Sequence, residues 1–261
     1  MRARHDYRDQ ADRYDETRAA SPSILVPLER AVHGAPGRRM VDVAGGTGNY
    51  AVAFRDRGWE VSVLDISTEM LTRARGKGLT VVRGDASALP FDERSFDAVL
   101  NISAIHLVPD WIGALAEMRR VLRPGGRLGM MLYTRENLDV HWILEYFPVT
   151  RDWIYPEHQT LDAIVAELPG ARVEPFEFTD LVDASMSALC RYPRLLLDPA
   201  WRMQTSFFER LERAHPDAMA DGLARLERDL DAGRQPDRDA EPRRAVHGDG
   251  TVIAWEKPPD E

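Results

Sequence analysis

The chain is predicted to fold as an α/β protein: a mostly parallel sheet of seven strands with helices on both faces and a helical insertion late in the chain. Three observations predict it. Apolar, β-branched segments recur at Met40–Val43, Glu60–Asp65, Leu79–Arg83, Ala98–Ile102, Arg127–Tyr133, Arg172–Phe178 and Thr251–Glu256. Helix-compatible segments fill most of the gaps, and strands joined by helical crossovers lie parallel in one sheet. The gap between the sixth and seventh strands is longer than a strand-to-helix connection requires, so something extra is built there.

The elements follow in order. The first twenty residues are charged and polar, with tyrosines at Tyr7 and Tyr14. Pro22 then opens a helix that carries Ile24, Leu25, Leu28 and Val32 on one face, ending at Gly34–Gly37. Met40 to Ala51 reads as strand, tight turn and helix, with three small residues, Ala44, Gly45 and Gly46, at the turn. Glycine there lets backbone approach a ligand where a Cβ would collide, and the following helix offers unpaired N–H groups. A ligand is therefore expected on this turn.

The helix Tyr50–Arg57 stops at Gly58, and the next strand ends in Asp65, 19 residues beyond Gly46. That is the offset at which a carboxylate meets a ribose diol in nucleotide-binding α/β folds. A carboxylate accepts from two hydroxyls and repels a 2′-phosphate. Ser67 is available to cap the helix Thr68–Arg75, so Asp65 is not needed for that. The third strand also ends in an acid, Asp85. Strand four leads into Ser103–Asp110, and a helix follows with Trp111, Leu115, Met118 and Leu122 at helical spacing. Arg123-Pro124-Gly125-Gly126 reads as a sharp turn into strand five. Beyond it, Thr160–Leu168 is helical, and within the insertion Trp201–Arg213 and Ala218–Leu230 are expected helices. Asp231–Arg244, of mixed charge, is expected to be a mobile loop.

Composition bounds the function. The chain has 261 residues, 44% hydrophobic and 30% charged, which is globular composition. A formal charge of −9 argues against a nucleic-acid partner. The single cysteine, Cys190, cannot form an internal disulfide and reads as a buried thiol, and no Cys/His spacing suggests a metal site. The N-terminus lacks the apolar core of a signal peptide, and no run of about 18 apolar residues occurs, so a cytoplasmic protein without membrane partners is expected.

Two ligand classes fit the glycine turn. A dinucleotide fingerprint would need glycine at 44, 46 and 49, where the chain has Ala44, Gly46 and Asn49. The run Asp42-x-Ala44-x-Gly46-x-Gly48 instead resembles the acidic-x-Gly-x-Gly-x-Gly motif of class I S-adenosylmethionine-dependent methyltransferases, with Ala44 in place of the first glycine. That replacement costs little at negative φ and much at positive φ. Gly84-Asp85-Ala86 with Leu89-Pro90-Phe91, and Leu122-Arg123-Pro124-Gly125-Gly126-Arg127-Leu128, resemble further segments of the same family. The likeness covers Asp42 to Tyr133 in order and spacing, and the overall pattern resembles the ubiquinone/menaquinone-type (methyltransferase type 11-like) small-molecule branch.

The resemblance implies a Rossmann-like sheet and S-adenosylmethionine as cofactor. Asp42, Ala44, Gly45, Gly46 and Gly48 would serve the methionine part, Asp65 with Ile66 the ribose side, and Asp85 with Ala86 the adenine, with Ile102 on the same edge. Tyr14 and Arg18 resemble an N-terminal lid. His106 stands where the family's substrate pocket opens and is the candidate base; as a histidine it could equally be a pocket wall. Tyr133, Trp142, Arg191 and Trp201 are candidate acceptor contacts. The expected division is a helical lid at 1–38, a cofactor-binding core at 39–180, a helical insertion at 181–248, and the last strand and tail at 249–261. The expected function is methyl transfer to O, N or C of a small molecule, in secondary or specialised metabolism, by a monomer or homodimer. A nicotinamide-dependent oxidoreductase and a cofactor-binding protein without methyl transfer are the rivals.

Overall fold

The computed structural model describes residue 15 and residues 18–259. Among them a seven-stranded sheet runs in the order β3-β2-β1-β4-β5-β7-β6. The strands are β1 (Arg39–Val43), β2 (Glu60–Asp65), β3 (Thr80–Arg83), β4 (Phe96–Ile102), β5 (Leu122–Leu132), β6 (Arg172–Phe176) and β7 (Gly250–Glu256). The pairs from β3 through β5 are parallel, and β7 runs antiparallel between β5 and β6. The order reverses at β1/β4, and this is the place where an open α/β sheet leaves a crevice outside its carboxyl ends.

Strands buried on both faces read as nearly continuous apolar runs. β1 shows why: Met40 faces a core with Ile24, Phe54 and Leu71, while Val41 and Val43 face a second core with Leu115, Met118 and Ile164. The helices α1 (Pro22–Val32), α2 (Asn49–Arg55) and α3 (Thr68–Gly76) cover the first face, and α4 (Trp111–Val121) covers the second. α1 begins where expected, because the Ser21 hydroxyl accepts from the Ser23 amide and Pro22 occupies the first turn.

The structure differs from expectation in three places. Arg123–Gly126 is not a turn before β5 but a bulge within it. Leu122 pairs with Phe96 and Arg127 with Ala98, so four residues of β5 stand opposite one of β4. The expected helix over 201–213 is broken into α10 (Pro199–Arg202) and α11 (Ser206–Ala214), since Asp198 and Thr205 each cap a new start. The expected loop over 231–244 contains α13 (Pro236–Asp239) and α14 (Glu241–His247). Arg244 is 2% exposed there and its Nε donates to Asp249 at 2.8 Å, a tie that orders the segment.

After β5 come α5 (Arg135–Val140), α6 (Ile143–Tyr146), α7 (Arg151–Glu157) and α8 (Leu161–Ala166). α9 (Met186–Leu189) and α12 (Pro216–Asp231) complete the set. A third core joins Trp142, Phe147 and Ile154 from this connection to Leu189, Phe208 and Leu226 from the insertion. Packing therefore unites residues on both sides of position 181 in one cap.

Candidate functional site

A cavity of about 630 Å³ opens at the carboxyl ends of β1, β2, β3 and β4, under the cap. The size suits a nucleoside-sized ligand with a small molecule beside it. Its floor is the turn after β1. Gly46 and Gly48 have φ of +57° and +76°, the left-handed region that glycine tolerates. Gly45 is demanded by space: a Cβ there would stand 2.6 Å from Cγ of Asp42. Ala44 sits at φ +57°, the costly of the two cases for a residue with a side chain.

The turn is wired to the next strand tip. The Gly46 amide donates to Asp65 Oδ2 at 2.9 Å, and the Ser67 amide donates to Oδ1 at 2.8 Å. Burial raises the Asp65 carboxyl above the ordinary range, and these amide bonds offset part of that. Asp42 is 1% exposed and lines the cavity, and its Oδ1 has no hydrogen-bond partner. Burial first, and the Asp65 charge second, push its carboxyl up from 3.8 to about 7. A buried acceptor with no donor is costly unless a ligand supplies one. At the third tip Asp85 is exposed, and its Oδ1 accepts from the Ser87 amide and hydroxyl at 3.0 and 2.8 Å. Ile66, Ala86 and Ile102 also border the cavity, Ile66 half exposed.

The chain leaves β4 through Ser103, at φ +52°, whose amide donates to the Met131 carbonyl at 2.7 Å. A single helical turn, Ile105–Leu107, then buries Ile105 and sets His106 in the cavity wall. Tyr133 also lines the cavity; burial, and next the Asp183 charge, keep its phenol protonated, so it can donate but not act as base. The roof comes from the cap: Pro199, Ala200, Met203, Gln204 and Glu209. Arg18 also lines the cavity and bonds Asp183 through Nη1 at 2.5 Å. The N-terminal segment is strapped over the turn as well. Thr47 Oγ1 and Lys77 Nζ both donate to Asp15 Oδ1, at 2.6 and 2.8 Å, and Asn49 donates to the Arg18 carbonyl.

Of the expected site residues, Arg18, Asp42, Ala44, Gly45, Gly46, Asp65, Ile66, Asp85, Ala86, Ile102, His106 and Tyr133 meet at this cavity. Gly48 lies behind it and starts α2. Tyr14 falls outside the described residues. Three acceptor contacts are corrected. Trp142 is 2% exposed in the cap core, where its large apolar ring is buried and its indole N–H donates to the Cys190 carbonyl. Arg191 lies off the cavity wall among Glu177, Glu241 and Asp249, at 3.5 to 4.0 Å. Trp201 is partly buried against the cap core and does not line the cavity, while its neighbours Pro199 and Ala200 do. Sequence reasoning missed Asn49 as a strap, although its place in the motif marked it. It also missed Asp183, Met203, Gln204 and Glu209, which no local pattern announces.

The cavity carries five carboxylic acids, Asp42, Asp65, Asp85, Asp183 and Glu209, against one described arginine, Arg18. Such a lining favours a cation. S-adenosylmethionine fits on observation: a glycine turn held tight to Asp42, an undonated buried oxygen, and two further acids at successive tips. Residues 41–130 match the methyltransferase domain family model. The demethylmenaquinone methyltransferase of Renibacterium salmoninarum is 44% identical over 100 residues, covering 38% of this chain and 42% of that protein. The ubiquinone/menaquinone biosynthesis C-methyltransferase of Paracoccus denitrificans is 43% identical over 112 residues, covering 38% and 44%. The matched region is thus less than half the length of either relative. A crystal structure of a putative methyltransferase from an antibiotic biosynthesis pathway of Anabaena variabilis superposes with a TM-score of 0.75 at 24% identity, covering 91% of this chain and 98% of that one, which is a likeness of fold. Motif order, strand topology and these matches agree in making residues 41–130 similar to the methyltransferase domain of class I S-adenosylmethionine-dependent enzymes.

Proposed function

We propose that the protein transfers a methyl group to an O, N or C atom of a small organic acceptor that bears no strong negative charge, as a cytoplasmic enzyme of specialised metabolism. The observation that carries this reading is Asp42, buried in the cavity floor with an undonated oxygen beside Asp65. The name of the Anabaena variabilis neighbour, and the quinone-related names of the sequence relatives, are consistent with a small-molecule acceptor.

Bound S-adenosylmethionine would supply an activated methyl on a positively charged sulfur. The chain then has three tasks. The turn Ala44–Gly46, with Asp42, Asp65 and Asp85, would hold and orient the donor. The cap would exclude water and place the acceptor in line. His106 would take the proton that an acceptor O–H or N–H gives up as its lone pair forms the new bond to carbon, and pass it to solvent. Arg18 is already neutralised by Asp183, so among the described lining residues no spare cation awaits an acceptor carboxylate or phosphate.

Calorimetric titration with S-adenosylmethionine, S-adenosylhomocysteine and NADH tests the donor site: the first two are expected to bind and NADH is not. Binding of NADH alone would overturn the reading. A panel of phenols, amines and their carboxylated analogues, read by product mass for one added CH₂, tests the acceptor class. Turnover restricted to the carboxylated members would reject an uncharged acceptor.

A further inference from the structure

The turn at the third strand tip is held from behind. Gly84, Asp85 and Ala86 line the cavity, and the Ala88 amide donates back to the Asp85 carbonyl at 3.1 Å, which closes a short turn. Leu89-Pro90-Phe91 follows and belongs to no helix or strand, so its backbone groups need partners outside a ladder.

They find them on two side chains of α4. The Leu89 amide donates to Glu117 Oε2 at 2.8 Å. Arg120 donates from Nη2 to the Leu89 carbonyl at 3.1 Å and from Nη1 to the Phe91 carbonyl at 2.9 Å. The two side chains, three residues apart on the helix, also bind each other twice, Arg120 Nε to Glu117 Oε1 at 2.7 Å and Nη2 to Oε2 at 2.8 Å. A planar fork on a carboxylate fixes both groups in direction as well as distance. The hydrogen bond from Arg120 holds the Glu117 carboxyl below the usual range, so the acceptor of the Leu89 amide is a carboxylate at neutral pH.

An ion pair of this spacing on a helix surface ordinarily contributes little. Here its further donors and acceptor engage a third segment, and neither side chain lines the cavity, so neither meets a ligand there. Apolar packing does a different job. Leu89 is buried in the second core, and the Phe91 ring stands edge-on to Phe96 with centroids 4.9 Å apart. Those contacts seat two side chains, whereas the direction of the Leu89 peptide is set by its hydrogen bonds. The held stretch folds back over the start of the same turn: a Cβ at Gly84 would stand 3.1 Å from Cδ of Pro90. The aim of Asp85 and Ala86 therefore follows from a stretch whose backbone is fastened to α4.

We propose that Glu117 and Arg120 are positioning residues for the purine end of the donor: by clamping the backbone at Leu89 and Phe91 they set the direction in which Asp85 and Ala86 meet the base, and with it the preference for a base bearing an amino group. The functional part rests on S-adenosylmethionine being the donor; the clamp is read from the bond geometry.

S-inosylhomocysteine, whose purine carries a carbonyl where S-adenosylhomocysteine carries an amino group, isolates that preference. Calorimetric titration of the full-length protein with each compound gives a ratio of dissociation constants. A general loss of stability does not move this ratio, because the rest of the two ligands is the same. Wild type is expected to prefer the amino compound by about tenfold or more, the contribution of one hydrogen bond to a charged group. Glu117→Ala removes the Leu89 tie and the counterpart of Arg120, and is expected to bring the ratio to within about twofold. Arg120→Lys keeps the charge but loses the fork, and is expected to lower the ratio at least about threefold. Asp85→Ala should abolish the preference by itself, and Glu117→Ala added to it should change the ratio no further, since both act through one contact.

An unchanged ratio in Glu117→Ala, with both affinities equal to wild type or lowered alike, would overturn the proposal. So would a ratio near one in wild type. Should Glu117→Ala not fold, the Arg120→Lys ratio decides by the same criterion. If S-adenosylhomocysteine does not bind wild type, the donor reading fails and the proposal with it; if it binds and the ratio stays put in the variants, the clamp alone is rejected.

Discussion

At the scale of single residues, the cavity floor concentrates two costs that have different signatures. Ala44 holds φ +57° although it carries a Cβ. A left-handed conformation costs a non-glycine residue roughly 1–2 kcal/mol, while glycine would raise the entropy of the unfolded chain by up to roughly 1 kcal/mol. Ala44→Gly is therefore expected to be stabilising or neutral, with a melting temperature equal to or above wild type; a clear drop would mean the turn is not strained there. Asp42 carries the second cost. Its carboxyl titrates near 7 in the folded protein against 3.8 unfolded, so between about pH 4 and 7 the folded state holds the extra proton. Stability of the free protein should fall as pH rises through that window, and Asp42→Asn should flatten the slope. A cationic ligand favours the ionised form, so its binding at pH 6 should release close to one proton, measurable as a dependence of calorimetric heat on buffer ionisation enthalpy. Equal heats in buffers of different ionisation enthalpy would contradict this account of the site.

At the scale of elements, what was legible followed from local pattern. The strand tips at Val43, Asp65 and Asp85 could be read because an apolar run stops at a glycine or an acid, and that boundary is a property of adjacent residues. The bulge at Arg123–Gly126 could not, since a glycine-proline cluster looks alike as a turn between elements or as extra residues inside one. α14 is not legible in the sequence, because a run of mixed charges looks the same whether its side chains are solvated or paired and buried. Arg244 is 2% exposed with Nη1 on the Asp237 carbonyl and on Glu241, and Nε on Asp249, itself fully buried. Asp249 also receives the Phe178 amide at 2.9 Å, so this pair pins α14 to the chain entering β7 and leaving β6. Removing one partner of a buried pair strands the other charge at a cost of roughly 3–5 kcal/mol. Arg244→Leu should lose about that much in denaturant titration, and a loss below 1 kcal/mol would show the pair to be solvated in solution.

At the scale of the whole molecule, the sequence invited a division at residue 181 that the packing does not respect. Sequence reading separates domains by composition and by the length of a connection, whereas a domain is defined by which apolar surfaces share a core. Here Trp142, Phe147 and Ile154, from before the boundary, interdigitate with Leu189, Phe208 and Leu226 from beyond it. The Phe147 and Phe208 rings meet edge to face at 5.6 Å, and the Trp142 indole reaches across to Cys190. Strand order adds a second reason, because β7 lies between β5 and β6 and closes the sheet only after the insertion has been traversed. A fragment of residues 39–180 would thus expose one side of the cap core and lack a strand from the middle of the sheet's second half. It is expected to be unfolded or aggregated, and the intact chain to unfold in one transition. Calorimetry tests the second statement: the van't Hoff and calorimetric enthalpies should coincide, with the fluorescence of the cap tryptophans Trp142, Trp153 and Trp201, read in a variant whose Trp59, Trp111 and Trp255 on the sheet are replaced by Phe, changing together with far-ultraviolet dichroism. Two separated transitions, the fluorescence moving first, would mean that the cap opens as its own unit and that the roof over the cavity can leave the floor without unfolding it.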